Sequence, residues 1–277
     1  MTTAAHLQHF GLTRPPFQIR PDVDFFFAGN RRGEYLEALL HVAAHDEGLC
    51  IVIAGAGSGK TLMARQMISR LPEDIQALYL AYPCLGRGEI LDAIGSELGM
   101  DSLPNTMDGK LAMLQGQLRQ RHADGKRILL VIDEAHTLPT ESLEEIRMLS
   151  DLEAEQHKLV NILLLGQPGL DTLLTDPRLR QVQDRVIHRF ELTPFSRDDV
   201  AAYIDHRLRA SGWQGGPLFD DKALDAISHA SEGRAQRINL LADLSLQAAC
   251  AKDAKQVHAS HVKQAMASLP DAPALPR

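Results

Sequence analysis

Up to about Leu192 the chain alternates between two rhythms of apolar and polar residues. Short continuous apolar runs take turns with stretches in which apolar residues return every third or fourth position. The runs Leu49–Ala54, Gln76–Ala81, Arg127–Ile132, Leu159–Gly166 and Ile187–Leu192 predict strands. Runs as unbroken as Leu129-Leu130-Val131-Ile132 belong to strands covered on both faces. The periodic stretches predict helices over Asn30–Glu47, from Leu62 to Leu71, Gly88–Leu98, Met107–His122 and Thr140–Glu155, with a loop at Pro104-Asn105. Strands that alternate with helices in this way predict an α/β fold with a parallel, doubly wound sheet.

After Leu192 the strand rhythm stops. Four helices are predicted, over Arg197–Ala210, Asp220–Ser231, Gln236–Ala251 and Ala259–Leu269, with Ser196, Asp220 and Ser260 as N-caps. The change of pattern at Thr193-Pro194 divides an α/β domain, residues 31–193, from an all-α domain, residues 194–269. Residues 270–277 hold three prolines and are expected to be a disordered tail. Residues 1–30 carry prolines that stop helices and aromatics that need cover (Phe10, Phe17, Phe25, Phe26, Phe27), which predicts an arm laid over the core.

The first candidate chemistry lies where the strand Leu49–Ala54 runs into Gly55-Ala56-Gly57-Ser58-Gly59-Lys60-Thr61 and then into a helical pattern. A glycine-rich loop between a buried strand and a helix points successive N–H groups at one spot, and the helix dipole adds to the attraction for an anion. A triphosphate suits such a site, with Lys60 reaching the β- and γ-phosphates and the Thr61 hydroxyl holding Mg²⁺. Ala54 occupies the place where the general pattern has its first glycine, which is tolerable where the backbone keeps a negative φ.

The second is Asp133-Glu134 at the end of the apolar run Leu129–Ile132. Alone, such a pair is an ordinary strand-end turn. Downstream of a phosphate loop, Asp133 would hold Mg²⁺ and Glu134 would orient and polarise an attacking water. Both stand at the carboxyl end of a strand, where open α/β sheets bind ligands. With a nucleotide in prospect, the arm 1–30 has two readings, as the lining of an adenine pocket or as plain packing.

Composition trims this picture. The chain has 277 residues with a net charge of −7, which weighs against a dedicated nucleic-acid binder. Cys50, Cys84 and Cys250 are far apart and odd in number, so no disulfide framework is expected, which fits a reducing cytoplasm. No signal-peptide pattern and no run long enough to span a membrane is present. His41 and His45 stand four apart but lack a third metal ligand nearby, and read as surface or packing histidines.

On these motifs the sequence resembles the AAA+ ATPases of the ExeA/GspA type, and within them the MshM-type branch of mannose-sensitive (MSHA) pilus biogenesis. The resemblance runs over about residues 8–268. Besides the two nucleotide motifs it rests on Phe10-Gly11-Leu12 with Pro16-Phe17, Leu149-Ser150-Asp151-Leu152-Glu153 and Gly166-Gln167-Pro168. It continues in Arg180-Gln181 with Arg185-Val186, and in Arg237-Ile238-Asn239-Leu240-Leu241-Ala242. It implies a P-loop core with a central five-stranded parallel sheet, followed by a helical lid. It also implies that Ala54, Gly55, Ala56, Gly57, Ser58, Gly59, Lys60, Thr61 and Leu62 bind ATP, and that Asp133 and Glu134 form the Walker B pair. Gln167 falls at the sensor-1 place, where its amide could bond the γ-phosphate or the water. Arg185 matches an arginine finger acting on a neighbouring subunit, with Arg180 and Arg178 in reserve. Gln236 stands where the family usually places its sensor-2 arginine, with Arg237 beside it and Arg234 shifted. Longer members carry a membrane span and a peptidoglycan-binding domain, and cell-wall binding is not carried over to this chain.

The resemblance thus implies Mg²⁺-dependent ATP hydrolysis that remodels a protein partner of pilus or type II secretion assembly. It implies a nucleotide-dependent homo-oligomer in the cytoplasm, with peripheral association at the inner membrane compatible with it. Two other functions stay open. One is a DNA-linked ATPase, for which Arg31-Arg32, the cluster from Arg119 to Arg127 and the run from Arg178 to Arg189 speak. The other is a nucleotide-gated scaffold with little turnover.

Overall fold

The computed structural model describes residues 4–45, 48–81, 86–154 and 157–269. The expected tail 270–277 and Cys84 lie outside the described residues. Contacts divide the chain into two compact units. One holds the N-terminal segment through Gly33, Ala56–Leu62 and the chain from Thr193 on, and the other holds Glu34–Gly55 and Met63–Leu192.

The second unit is built on a parallel sheet. Its strands are β1 (Leu49–Ala54), β2 (Ile75–Leu80), β3 (Arg127–Ile132), β6 (Val160–Gly166) and β7 (Val186–Leu192), in the order β2-β3-β6-β1-β7. All four pairings are parallel, with Ile132 beside Leu164 and Ile53 beside Gly166, so β1, β3 and β6 end on one edge of the sheet. This is the five-stranded parallel sheet that the resemblance implies. Every residue of β1 and β6 is buried, which is why these strands read as unbroken apolar runs. Edge strand β7 alternates instead, with Ile187, Arg189 and Glu191 exposed.

Helices α4 (Glu89–Glu97), α5 (Met107–Ala123) and α6 (Thr140–Ser150) contribute Ile90, Leu91, Leu114, Leu118, Leu143 and Ile146 to the core of this unit. Helix α2 (Arg32–Ala44) is fastened at its C-terminus by buried Asn161 of β6. The Asn161 amide donates to the carbonyls of His45 at 2.8 Å and Ala43 at 3.4 Å, and its oxygen accepts from the Gly48 N–H at 3.2 Å.

Glu145 of α6 is buried, and both its oxygens accept from the N–H of Gly88, at 2.8 and 3.0 Å. Burial pushes its pKa up, against the pull of that N–H and of Arg87 and Lys110.

Local structure departs from expectation at four places. The helix expected through Glu155 ends at Ser150, and a two-residue ribbon follows, β4 (Glu153–Ala154) against β5 (His157–Lys158). Short helices α1 (Ala4–Phe10), α7 (Gly169–Leu174) and α8 (Arg180–Gln183) form where no helical period was legible, each being too short to show one. The helix over 259–267 is N-capped by His258, not by Ser260, and the His258 N–H donates to Nδ1 of His261 at 3.0 Å. Ser196 and Asp220 do cap their helices, accepting from the N–H groups of Asp199 and Ala223.

The fourth departure is the arm. Its aromatics enter the core of the C-terminal helices and not that of the α/β sheet. Phe10, Leu12 and Phe17 are buried with Val200 and Ile204 of α9 (Arg197–Ala210), Ile227 of α10 (Asp221–Ser231), Ile238 and Leu246 of α11 (Ala235–Ala251) and Val262 of α12 (Ala259–Ala267). Arg207 of α9 donates to the carbonyl of Pro16 and lies over the ring of Phe25, 4.5 Å from its centroid. The four helices leave one face uncovered by their own sequence, and the arm supplies the missing apolar side chains.

Candidate functional site

The phosphate loop begins where β1 ends. Ala54 is the last strand residue, buried, and is not among the residues with positive φ. An alanine serves there because the backbone is ordinary at that point. The left-handed turns fall on Gly57 (φ +69°) and Gly59 (φ +99°), where a side chain would be strained. Gly55 and Ala56 are exposed, Ser58 is buried, and helix α3 (Lys60–Ile68) starts at Lys60. Lys60 is 5% exposed, so its side chain is kept out of bulk solvent. Thr61 and Leu62 occupy the first turn of α3, half-buried.

Within the same unit the loop is held by two residues from far along the chain. The Gln236 N–H of α11 donates to the carbonyl of Gly57 at 3.0 Å. Nη2 of Arg32 lies 3.4 Å from the carbonyl of Ser58 and 3.4 Å from that of Thr193. Arg32 is buried and lies over the ring of Phe195, 3.9 Å from its centroid. Burial lowers its pKa to about 10, with Tyr203 and Asp199 opposing the fall. Gln236 is exposed and Arg237 half-buried one residue on. Arg234 pairs with Glu232 at 3.3 Å, within its own turn.

The acidic pair belongs to the other unit. Asp133 follows β3 and is 3% exposed. Its Oδ1 accepts from the Glu134 N–H at 2.9 Å, and its Oδ2 accepts from the hydroxyl of Tyr79 on β2, also at 2.9 Å. Glu134 is left-handed, at φ +53° and ψ +33°, an uncommon state for a non-glycine residue and one that clusters at functional sites. Thr137 fixes this turn, its N–H and hydroxyl both donating to the Glu134 carbonyl at 2.9 and 2.8 Å. The turn aims the Glu134 carboxylate at the end of β6, where Nε2 of Gln167 lies 3.4 Å from Oε2. Nδ1 of His136 lies 3.4 Å from the same oxygen.

Chemically, the strand end offers one carboxylate buried and held by donors, as a cation ligand needs. The other, partly exposed, is placed as a general base needs. Thr61 and Asp133 are hard oxygen donors of the kind that suit Mg²⁺. Among the described residues no cluster of three or more His, Cys, Asp or Glu forms a metal cage, and a cation that keeps several waters and phosphate oxygens needs none.

The arginines are sorted by their ion pairs. Arg185 contacts Asp151 at 2.7 Å, Arg178 contacts Asp176 at 2.7 Å, and Arg189 contacts Asp171 at 2.6 Å. Arg180 is exposed at the start of α8 and makes no ion pair among the described residues. Sequence reasoning did not single out His136 or Tyr79, and took Arg32 only as a charge that speaks for DNA, not as a residue of the phosphate loop. His136 had a signal in standing two residues after Glu134. Tyr79 and Arg32 had none, because their partners are brought to them by the fold.

A family model described as an AAA domain matches residues 43–174. General secretion pathway protein A of Aeromonas hydrophila is 35% identical over 257 residues, covering 91% of this chain. The chain spans about half the length of that relative, 46%. ATP-dependent target DNA activator B of Escherichia phage Mu is 24% identical over 83% of this chain and 69% of its own length. Among solved structures, the Aeropyrum pernix ORC1 protein in complex with DNA aligns with a TM-score of 0.69 over 92% of this chain and 69% of its own, at 17% identity. At that identity the likeness speaks for the fold.

Proposed function

Because this chain belongs to the AAA+ family, with General secretion pathway protein A among its relatives, we propose that it hydrolyses ATP and uses the cycle to remodel a protein partner in secretion or pilus assembly. The observation that carries the chemistry is Glu134, held in a left-handed turn at a strand end with its carboxylate beside Gln167, in a chain that also has a glycine-turned loop ending in a buried Lys60.

In this reading the loop N–H groups and Lys60 hold the triphosphate. Glu134 takes a proton from water as that water attacks the γ-phosphorus, the bridging bond to the β-phosphate breaks, and ADP leaves. Thr61 and Asp133 would hold Mg²⁺, which when bound would neutralise phosphate charge. Gln167 turns its amide toward the γ-phosphate or the water. Residues 194–269 act as the lid, with Gln236 and Arg237 at its nucleotide side. We assign the action on a neighbour's nucleotide to Arg180, which is exposed, ahead of Arg185, which pairs with Asp151. We place the protein in the cytoplasm, docking at the inner membrane through its partner. Among the described residues no helix is long and apolar enough to cross a membrane.

A second reading, a DNA-linked ATPase, draws on the relative named for target DNA activation. The run from Arg178 to Arg189 gives it little support, because three of its four arginines are ion-paired with acids of this chain. The net charge of −7 gives none.

ATP turnover and light scattering of wild type and Glu134→Gln, with and without nucleotide, test the first reading. Wild type should turn over, and Glu134→Gln should bind ATP, stop hydrolysis and accumulate a larger assembly. If wild type binds ATP without turnover and Glu134→Gln changes nothing, the nucleotide-gated scaffold replaces the enzyme. DNA binding that falls steeply with salt would favour the second reading.

A further inference from the structure

His136 stands in the turn after Glu134, and its Nδ1 faces two groups at once. The backbone N–H of Gln167, at the end of β6, points at Nδ1 from 3.4 Å. Oε2 of Glu134 lies 3.4 Å from the same atom. One is a donor and the other an acceptor, and a single ring nitrogen cannot serve both. With the ring proton on Nε2, Nδ1 accepts from Gln167 and has no proton to offer the carboxylate, which then has only the Gln167 amide, 3.4 Å away. With a proton on Nδ1, the ring donates to Glu134 and the Gln167 N–H gives up its acceptor.

We infer that His136 is a positioning residue that sets the Glu134 carboxylate according to the state of the β6 end at Gln167. This rests on the ATPase reading and deepens it. The main chain at Glu134 is already fixed by the two Thr137 bonds, so the side-chain torsions are what remain to be set, and His136 and Gln167 set them. All three contacts are at the long end of hydrogen bonding, a loose arrangement of the kind that tightens when substrate arrives. When the Gln167 amide turns away to phosphate or water, His136 is the group left to hold the carboxylate in line. The imidazole is one-fifth exposed, which leaves it room to turn between its two partners.

The test compares His136→Ala, His136→Asn and His136→Gln with wild type and Glu134→Gln, reading kcat, ATP affinity and thermal unfolding in the same preparations. Asn carries its polar atoms near the place of Nδ1, where it can accept from Gln167 and donate to Glu134, whereas Gln carries them near the place of Nε2. His136→Ala should lower kcat about a hundredfold, the cost of a misplaced catalytic group, and leave ATP affinity within about twofold. His136→Asn should recover turnover to within about tenfold of wild type, and His136→Gln should stay near the alanine level. Wild-type kcat in His136→Ala overturns the role, as do equal rates for the Asn and Gln variants, which hold the test even if the alanine variant does not fold. Those outcomes leave the ATPase reading standing, because Glu134→Gln is still inactive beside an active wild type. A wild type without turnover overturns both.

Discussion

The side-chain amide of Gln167 stands 3.4 Å from Oε2 of Glu134, two residues separated by a helix, a ribbon and a strand in sequence and brought together by the register of β3 beside β6. It can occupy Glu134 or reach for substrate, and it cannot do both at full strength. Gln167→Ala is therefore expected to leave ATP binding intact and to lower turnover about ten- to a hundredfold, by loss of orientation. Glu134→Gln is expected to lower it further, about 10²- to 10⁴-fold, by loss of the base. Steady-state hydrolysis beside equilibrium nucleotide binding checks both.

Lys60 acts on binding. Its buried ammonium lies at the start of α3, so Lys60→Ala is expected to weaken ATP binding severely and to leave the thermal stability of the empty protein nearly unchanged. Titration with a fluorescent nucleotide, beside an unfolding curve, separates the two effects.

Arg180 and Arg185 are predicted to part company. Arg180→Ala should bind ATP normally and lose turnover by about 10³-fold, with partial recovery on mixing with Lys60→Ala subunits, each of which lends the arginine the other lacks. Arg185→Ala should lose the contact with Asp151, half-exposed and worth at most about 1 kcal/mol, and keep most of its turnover. The reverse pattern in the mixing assay would return the trans-acting role to Arg185.

Glu145 predicts a pH effect on stability. Burial raises its pKa in the folded chain above the unfolded value, so the stability linked to it is fully present below the unfolded pKa and is lost as pH rises through the folded one. Glu145→Gln keeps an acceptor for the Gly88 N–H and removes the charge. It should melt a few degrees above wild type at pH 7, and the gap should close as pH falls toward about 4, the ordinary range of a glutamate. Thermal melts at the two pH values give the sign directly.

Gly233 predicts a local failure of the helical unit. It has φ +69°, and a Cβ there would meet the backbone of Phe195, 2.7 Å from its nitrogen, in the pair closed by the Phe195 N–H to the Gly233 carbonyl at 2.9 Å. Gly233→Ala should cost about 1–3 kcal/mol or more, since neither backbone can yield cheaply. Denaturant unfolding of the two proteins measures it.

Each of these predictions draws on a different mixture of sequence and fold. The strand β1, the loop through Thr61 and the pair Asp133-Glu134 were legible because each is a local device: an unbroken apolar run, glycines where φ turns positive, acids at a strand end. Helices α9, α10 and α11 were legible for the same reason, their period and two of their caps lying within a few residues. Strands β4 and β5 of the ribbon and helices α7 and α8 were not, because a segment of two to six residues is too short to show a period. The pairing of Arg185 with Asp151 was hidden too, since an arginine in a sequence does not say which acid the fold will bring to it.

The sequence by itself determined the sheet-and-helix alternation, the phosphate loop and the residue types that carry the chemistry. Those follow from spacing along the chain, where each residue's neighbours are known in advance. Only the tertiary structure decided that the N-terminal aromatics complete the C-terminal helical core, that Arg32 reaches Ser58 and Thr193, and that Gln167 and His136 meet at one oxygen of Glu134. Those are meetings of distant segments. They are fixed by which apolar faces must be covered and by the register of parallel strands, and neither is written within reach of any one stretch of sequence.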